Sequence, residues 1–465
     1  MFTKNLHLFC LALLTICSIA YAGPVERYMQ LQLETKTSLV TTPNLHQGYF
    51  KQLIDHNNPI QGTFAQRYYI DETYGPADDA PVFFYICGEA TCTSRALNGA
   101  IRDYAQKFHA KLVALEHRYY GASIPVETLS TANLRFLTTE AALDDLASFQ
   151  RHLIHKKNWS GKWIAFGGSY PGSLSAYYRL KFPYLVVGSL ASSAPVMAKE
   201  DFVEYDAHVT QVAGLHCATQ MREVVKAVEL TLNDATKLAQ MKELFGAAAV
   251  TEPIDFLYLI ADIGAAAVQY GQRDTFCSTL AMSPTPLEGY AQMALQFYQT
   301  SGLNAVELTP QGAMNETPNK ESNGLSMRQW YYQSCTEYGY WQNANPDPSL
   351  SSRSSLINLA YHRNVCKRLF GLTQPAQTAT LNSTFYAPLM DILVSNIYFT
   401  NGEQDPWSTL SLAEKNDNAI NPKLDYYLIE GAAHCDDLHK PSTSDSESLK
   451  QARKTMESLL AKWLA

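Results

Sequence analysis

A chain of 465 residues, 46% hydrophobic and 17% charged, can bury a large core and is too long for one layered unit without insertions. Its formal net charge of −8 offers no attraction to a phosphate backbone, so nucleic acid is not expected as a partner.

The chain opens with Lys4, an apolar run from Leu8 to Ala20, and the small-x-small sequence Ala20-Tyr21-Ala22. This is the pattern of a secretory signal peptide cleaved after Ala22, because about a dozen apolar residues fall short of the roughly 20 that span a bilayer. We therefore expect an exported protein, secreted, periplasmic or lysosomal, without an integral membrane anchor. Export permits disulfides. Beyond residue 22, pairing near neighbours joins Cys87 to Cys92, Cys217 to Cys277 and Cys335 to Cys366, and leaves Cys435 odd. The cysteines and histidines lack zinc-ligand spacing, so neither a metal nor a cofactor is expected.

Short apolar runs predict strands over Pro81 to Ile86, Lys111 to Leu115, Lys162 to Phe166 and Val186 to Leu190. Between them, Thr139 to His155 carries Ala142, Leu143, Leu146, Phe149, Leu153 and Ile154 at helical spacing, with Asp144 and Asp145 on the opposite face. Strands alternating with helices imply an α/β fold with a mostly parallel sheet. Helical patterns such as Val224 to Phe245 and Ile254 to Val268 then dominate, before strands return at Ser395 to Thr400 and Asp425 to Glu430 and a helix closes the chain near Leu449 to Leu464. The expected organisation is a signal peptide over 1–22, the first part of an α/β domain over 23–197, a mainly helical cap over 198–322, and the second part of the α/β domain over 323–465.

The most informative stretch runs from Trp163 to Ser173, where an apolar strand ends in Gly167-Gly168-Ser169-Tyr170-Pro171-Gly172 and restarts as a helix. A serine projected from so tight a turn needs a small residue two positions earlier, and Gly167 supplies it. Pro171 stands where the general G-x-S-x-G pattern has glycine. A proline in the first helical turn sacrifices no intrahelical hydrogen bond, so the turn tolerates it. Downstream, Asp405 and His434 each follow an apolar strand, which completes the order Ser, Asp, His of α/β-hydrolases. Ser169 is thus the candidate nucleophile, His434 its base, and Asp405 the group that holds the imidazole tautomer. Backbone N–H groups of Tyr170 and Gly88 are the candidate oxyanion donors. Glu403, Asp436, Asp437 and His439 are the nearest rivals, and Glu116, His117 and Arg118 read as a structural polar network beside the site.

These residues resemble the prolyl-specific serine peptidases that include lysosomal Pro-Xaa carboxypeptidase, dipeptidyl peptidase II and the thymus-specific serine protease. The resemblance runs through Gln52 to His56, Thr63 to Tyr68, Glu116 to Ser123, Gly167 to Gly172, Ala191 to Pro195, Cys335 to Gly339 and Gly402 to Trp407. It implies an α/β-hydrolase fold with an inserted helical cap, cleavage after proline near a peptide end, and a possible homodimer. It also implies the triad Ser169, Asp405 and His434. The chain departs from the pattern at Cys87-Gly88-Glu89-Ala90, usually glycine-rich, and at Cys435. Dipeptidyl members carry an acid just after the tryptophan upstream of Cys335. Here Trp330 is followed by Tyr331, so a carboxypeptidase or a tripeptidyl-type aminopeptidase is expected before a dipeptidyl peptidase. Glu89, Trp330, Tyr331 and Trp407 are the candidate substrate contacts, the three aromatics as an apolar slot for a proline ring. An esterase or lipase on the same scaffold and a catalytically silent binding protein are the competing readings.

Overall fold

The computed structural model describes residues 44–318, 326–413 and 421–465. The expected signal peptide lies outside the described residues. Eight strands form one sheet: β1 (Leu45–Leu53), β2 (Thr63–Asp71), β3 (Val82–Ile86), β4 (Lys111–Leu115), β5 (Trp163–Gly168), β6 (Gly188–Ser192), β9 (Ile397–Gly402) and β10 (Asp425–Ile429). Their spatial order is β1-β2-β4-β3-β5-β6-β9-β10. β1 and β2 pair antiparallel, as do β2 and β4, and every other pairing in the sheet is parallel. This is an α/β-hydrolase fold. A second, two-stranded sheet joins β7 (Lys199–Asp201) to β8 (Gly339–Trp341).

The central strands read as almost unbroken apolar runs because both faces are covered. On one face Val82, Phe84, Val113, Leu115, Trp163 and Ala165 join a core with helices α2 (Thr139–Lys157) and α3 (Tyr170–Lys181). On the other, Phe83, Leu112, Ala114, Ile164 and Phe166 meet α1 (Ala100–Phe108) and the final helix, Glu447–Leu464. Adjacent residues in one strand therefore enter different cores.

The predicted strands are present with ends shifted by at most two residues, and Lys111–Leu115 is unshifted. β5 continues through Gly167 and Gly168, residues of poor strand propensity, because both pair with β6 at Ala191 and Ser192. The antiparallel ribbon of β1 and β2 was not anticipated, since its polar and charged residues on a half-exposed edge blur the alternation. Asp145 departs from its expected solvent-facing position. It is buried and accepts two hydrogen bonds from Arg118, at 2.8 and 2.6 Å, whereas Asp144 meets Lys181 at 3.0 Å.

Between β6 and β9 the chain forms α4 (Val203–Glu229), α5 (Ala235–Leu244), α6 (Pro253–Gln269), α7 (Arg273–Met282) and α8 (Pro286–Ser301). Further short helices follow, including α9 (Met327–Gln333) and α10 (Leu359–Phe370), before the sheet resumes at Ile397. The helical stretch expected over 224–245 falls on two helices, the end of α4 and all of α5. Asp234 caps the second by accepting from the backbone N–H groups of Thr236 and Lys237. The cysteines pair as Cys87 with Cys92, Cys217 with Cys277 and Cys335 with Cys366, and Cys435 is a buried free thiol.

Candidate active site

Ser169 sits between β5 and α3 with φ 61° and ψ −134°, a left-handed conformation that costs a non-glycine residue on the order of 1–3 kcal/mol. The tight turn is possible because Gly167 lacks a Cβ, which would stand 2.1 Å from the Pro171 carbonyl oxygen. The Ser169 N–H donates to the Ser192 carbonyl at 2.9 Å and its own carbonyl accepts from Ser173 at 3.1 Å, so both sides of the turn are pinned. Tyr170 is the first residue of α3, where an N–H has no intrahelical acceptor. Gly88 follows β3, inside the short loop closed by the Cys87–Cys92 disulfide.

Asp405 and His434 lie on neighbouring loops after β9 and β10, fastened together by backbone bonds from Glu403 to Ile429 (3.0 Å) and from Gln404 to Ala432 (2.9 Å). Gly402 permits this approach, since a Cβ there would lie 2.3 Å from the Ala433 carbonyl oxygen. The Asp405 Oδ2 atom is 2.8 Å from His434 Nδ1, and Oδ1 accepts from the Trp407 N–H at 3.0 Å. A carboxylate only accepts, so Nδ1 carries a proton, and in the neutral ring Nε2 offers its lone pair. That Nε2 is buried and has no hydrogen-bond partner among the described residues. The structure thus brings Asp405 and His434 together, whereas the Ser169 hydroxyl makes no hydrogen bond to the ring, a looseness common in substrate-free sites. Burial opposes a charged His434 ring, but the Asp405 carboxylate overrides it and holds the imidazole pKa well above its ordinary value.

The rivals are engaged elsewhere. Asp437 accepts from the hydroxyls of Ser192 and Thr400, Glu403 accepts from the Gly431 N–H, and Asp436 accepts from the Ala433 N–H and faces His439 at 3.4 Å. His117 is buried, and burial lowers its pKa to about 4, so the ring is neutral. Its Nδ1 donates to the Arg118 carbonyl and its Nε2 accepts from the Tyr170 hydroxyl at 2.9 Å.

Ser169 opens onto a cleft of about 1200 Å³, its solvent-open mouth included. Glu89, Trp330, Tyr331 and Trp407 all line it, so the four candidate contacts share one space with Ser169. Aromatic rings brace one another around this space. Trp330 lies 5.6 Å from Tyr170, and Trp407 lies 5.3 to 5.5 Å from Phe202, Tyr205 and Tyr340.

The model of the serine carboxypeptidase S28 family matches residues 52–456. The chain belongs to that family. It is accordingly a serine-type peptidase. A probable serine protease, EDA2, of Arabidopsis thaliana is 38% identical over 375 residues, 77% of this chain and 74% of the relative. The thymus-specific serine protease of Mus musculus is 31% identical across 90% of this chain and 87% of its own length. The lysosomal Pro-X carboxypeptidase of Bos taurus is 28% identical across 98% and 97%.

In this S28 peptidase a second, polar hollow borders His434, lined by Arg273, Asp274, Gln404, Asp436 and His439 among others. Sequence reasoning missed Gln269, at the end of α6. Its Oε1 accepts from the Tyr205 hydroxyl (2.7 Å) and from Trp407 Nε1 (2.9 Å), while its backbone carbonyl accepts from the His434 N–H at 2.9 Å. One residue of the helical layer therefore ties the cleft wall to the histidine loop. A glutamine inside an apolar helix was the available signal, but its partners lie 64 and 138 positions away.

Proposed function

We propose that this S28 peptidase is an exported exopeptidase that hydrolyses peptide bonds after proline through an acyl-enzyme on Ser169. His434 takes the Ser169 hydroxyl proton as Oγ bonds the substrate carbonyl carbon. The same proton then passes to the leaving nitrogen as the C–N bond breaks. Water, deprotonated by His434 in turn, releases the acyl group and restores the serine. Asp405 fixes the ring's tautomer and stabilises its charged form. The Tyr170 N–H, without a helical acceptor, and the Gly88 loop supply the oxyanion donors. Trp330, Tyr331 and Trp407 form an apolar slot for the proline ring, Glu89 borders the bound peptide, and residues 198–322 act as the cap over it.

The observation that carries this reading is the 2.8 Å contact of His434 Nδ1 with Asp405, on the loops that follow two adjacent strands of the sheet that also bears the Ser169 turn. The likeness to a lysosomal Pro-X carboxypeptidase supports the proline preference and an exported or lysosomal location. The test compares hydrolysis of proline-containing peptides with that of simple acyl esters. We expect peptide cleavage on the carboxyl side of proline that Ser169→Ala abolishes. Efficient ester cleavage without peptide cleavage would instead establish the esterase reading.

A further inference from the structure

We propose that Asp262, on α6, receives the free ammonium group of the substrate, so that the peptide is engaged by its amino end. This deepens the peptidase reading above and rests on it.

Asp262 lines the same cleft as Ser169. Its side chain is 34% exposed although protein surrounds it, so its accessible surface opens into that cleft. The carboxylate is backed by Arg353, whose Nη2 lies 3.2 Å from Oδ1 and whose side chain is 0% exposed. The guanidinium is thus sealed behind the carboxylate, and the pair shows the cleft only its anionic end. Arg353 is also shared: it feels the buried Asp206 as well as Asp262. Burial raises the Asp262 carboxyl pKa while Arg353 opposes that, so a cation arriving from the aromatic-walled cleft would favour the charged carboxylate. A second polar group awaits a partner here. Tyr331 is 3% exposed and lines the cleft, and its hydroxyl has no hydrogen-bond partner among the described residues. The Asp262 charge acts on that same tyrosine. An ammonium group supplies that positive charge and up to three N–H donors.

The other carboxylate of the cleft, Glu89, acts on Tyr170 and Tyr340, next to the nucleophile. Asp262 acts instead on Tyr205, Tyr258 and Tyr331. The hollow beside His434 is no better suited to a substrate carboxylate, because Arg273 is paired with Asp274, and Asp436 faces His439.

The experiment measures kcat/KM for proline-containing peptides with the amino end free or acetylated and the carboxyl end free or amidated. In the wild-type protein, acetylation lowers kcat/KM at least tenfold and amidation changes it less than threefold. In Asp262→Asn the free-to-acetylated ratio falls toward one. Equal use of free and acetylated peptides by the wild type, a preference for a free carboxyl end, or an unchanged ratio in Asp262→Asn overturns the assignment. Should the variant fail to fold with Arg353 left unpaired, the wild-type comparison decides alone. A wild-type protein that cleaves no proline peptide and takes no fluorophosphonate label overturns the peptidase reading itself. Cleavage indifferent to acetylation overturns only the role of Asp262.

Discussion

The strand-end turns and the helical layer above them place their side chains by different means. At the turns the backbone does the placing: Ser169 is held by its own positive φ and by bonds to Ser192 and Ser173, and the Asp405 and His434 loops are laced together main chain to main chain. In the helical layer, side chains do it, as where Gln269 gathers Tyr205 and Trp407, or where Arg353 backs Asp262. Backbone placement tolerates little change and suits groups that move a proton. Side-chain placement can be altered one residue at a time and suits the choice of substrate.

If that division holds, the largest losses come from the turns. Ser169→Ala lowers kcat by about 10⁴- to 10⁶-fold without loss of fold, read by turnover and by thermal melting. Asp405→Asn costs about 10⁴-fold, because an amide no longer enforces the Nδ1–H tautomer. It also shifts the acid limb of the pH profile. The carboxylate that holds the His434 pKa up is gone, so the residual activity survives to lower pH. Gln269→Leu, in the helical layer, is expected to cost roughly 10- to 100-fold, by analogy with supporting contacts behind other sites, and to raise KM as Trp407 loses its anchor. An effect as large as that of Asp405→Asn would erase the distinction between the two regions.

The smallest effect on turnover is expected from Glu337, half-buried two residues before β8. Burial pushes its carboxyl up to about 7 despite hydrogen bonds from the Thr139 N–H and hydroxyl. The folded form therefore holds a proton that the unfolded chain, titrating near 4.5, has already lost. Its stability contribution is complete below about 4.5 and falls by up to ~3 kcal/mol as pH rises through about 7. Glu337→Gln should flatten this part of the pH dependence, measured by urea denaturation at pH 5 and pH 8. An unaltered pH dependence in the variant would rule the term out.

The same division explains what could be read from the chain. Gly167 before Ser169, Pro406 and Trp407 after Asp405, and the small residues before His434 are local requirements of tight turns, so their spacing is visible in one dimension. The near-neighbour disulfides were legible for a similar reason. Gln269 and Tyr205 meet only because α4 and α6 pack against each other, and nothing within a few residues of either announces it. The buried side of Asp145 was likewise hidden, because its reason is Arg118, 27 positions earlier. The edge strand β1 and its neighbour β2 escaped because their pairing, rather than their composition, makes them strands.

The most direct test treats the intact protein with a fluorophosphonate and maps the adduct by peptide mass spectrometry. We expect one phosphonylated residue, Ser169, and its loss in His434→Ala. An adduct on another side chain, or labelling of Ser169 that is as fast without His434, would contradict the proton transfer on which the mechanism stands.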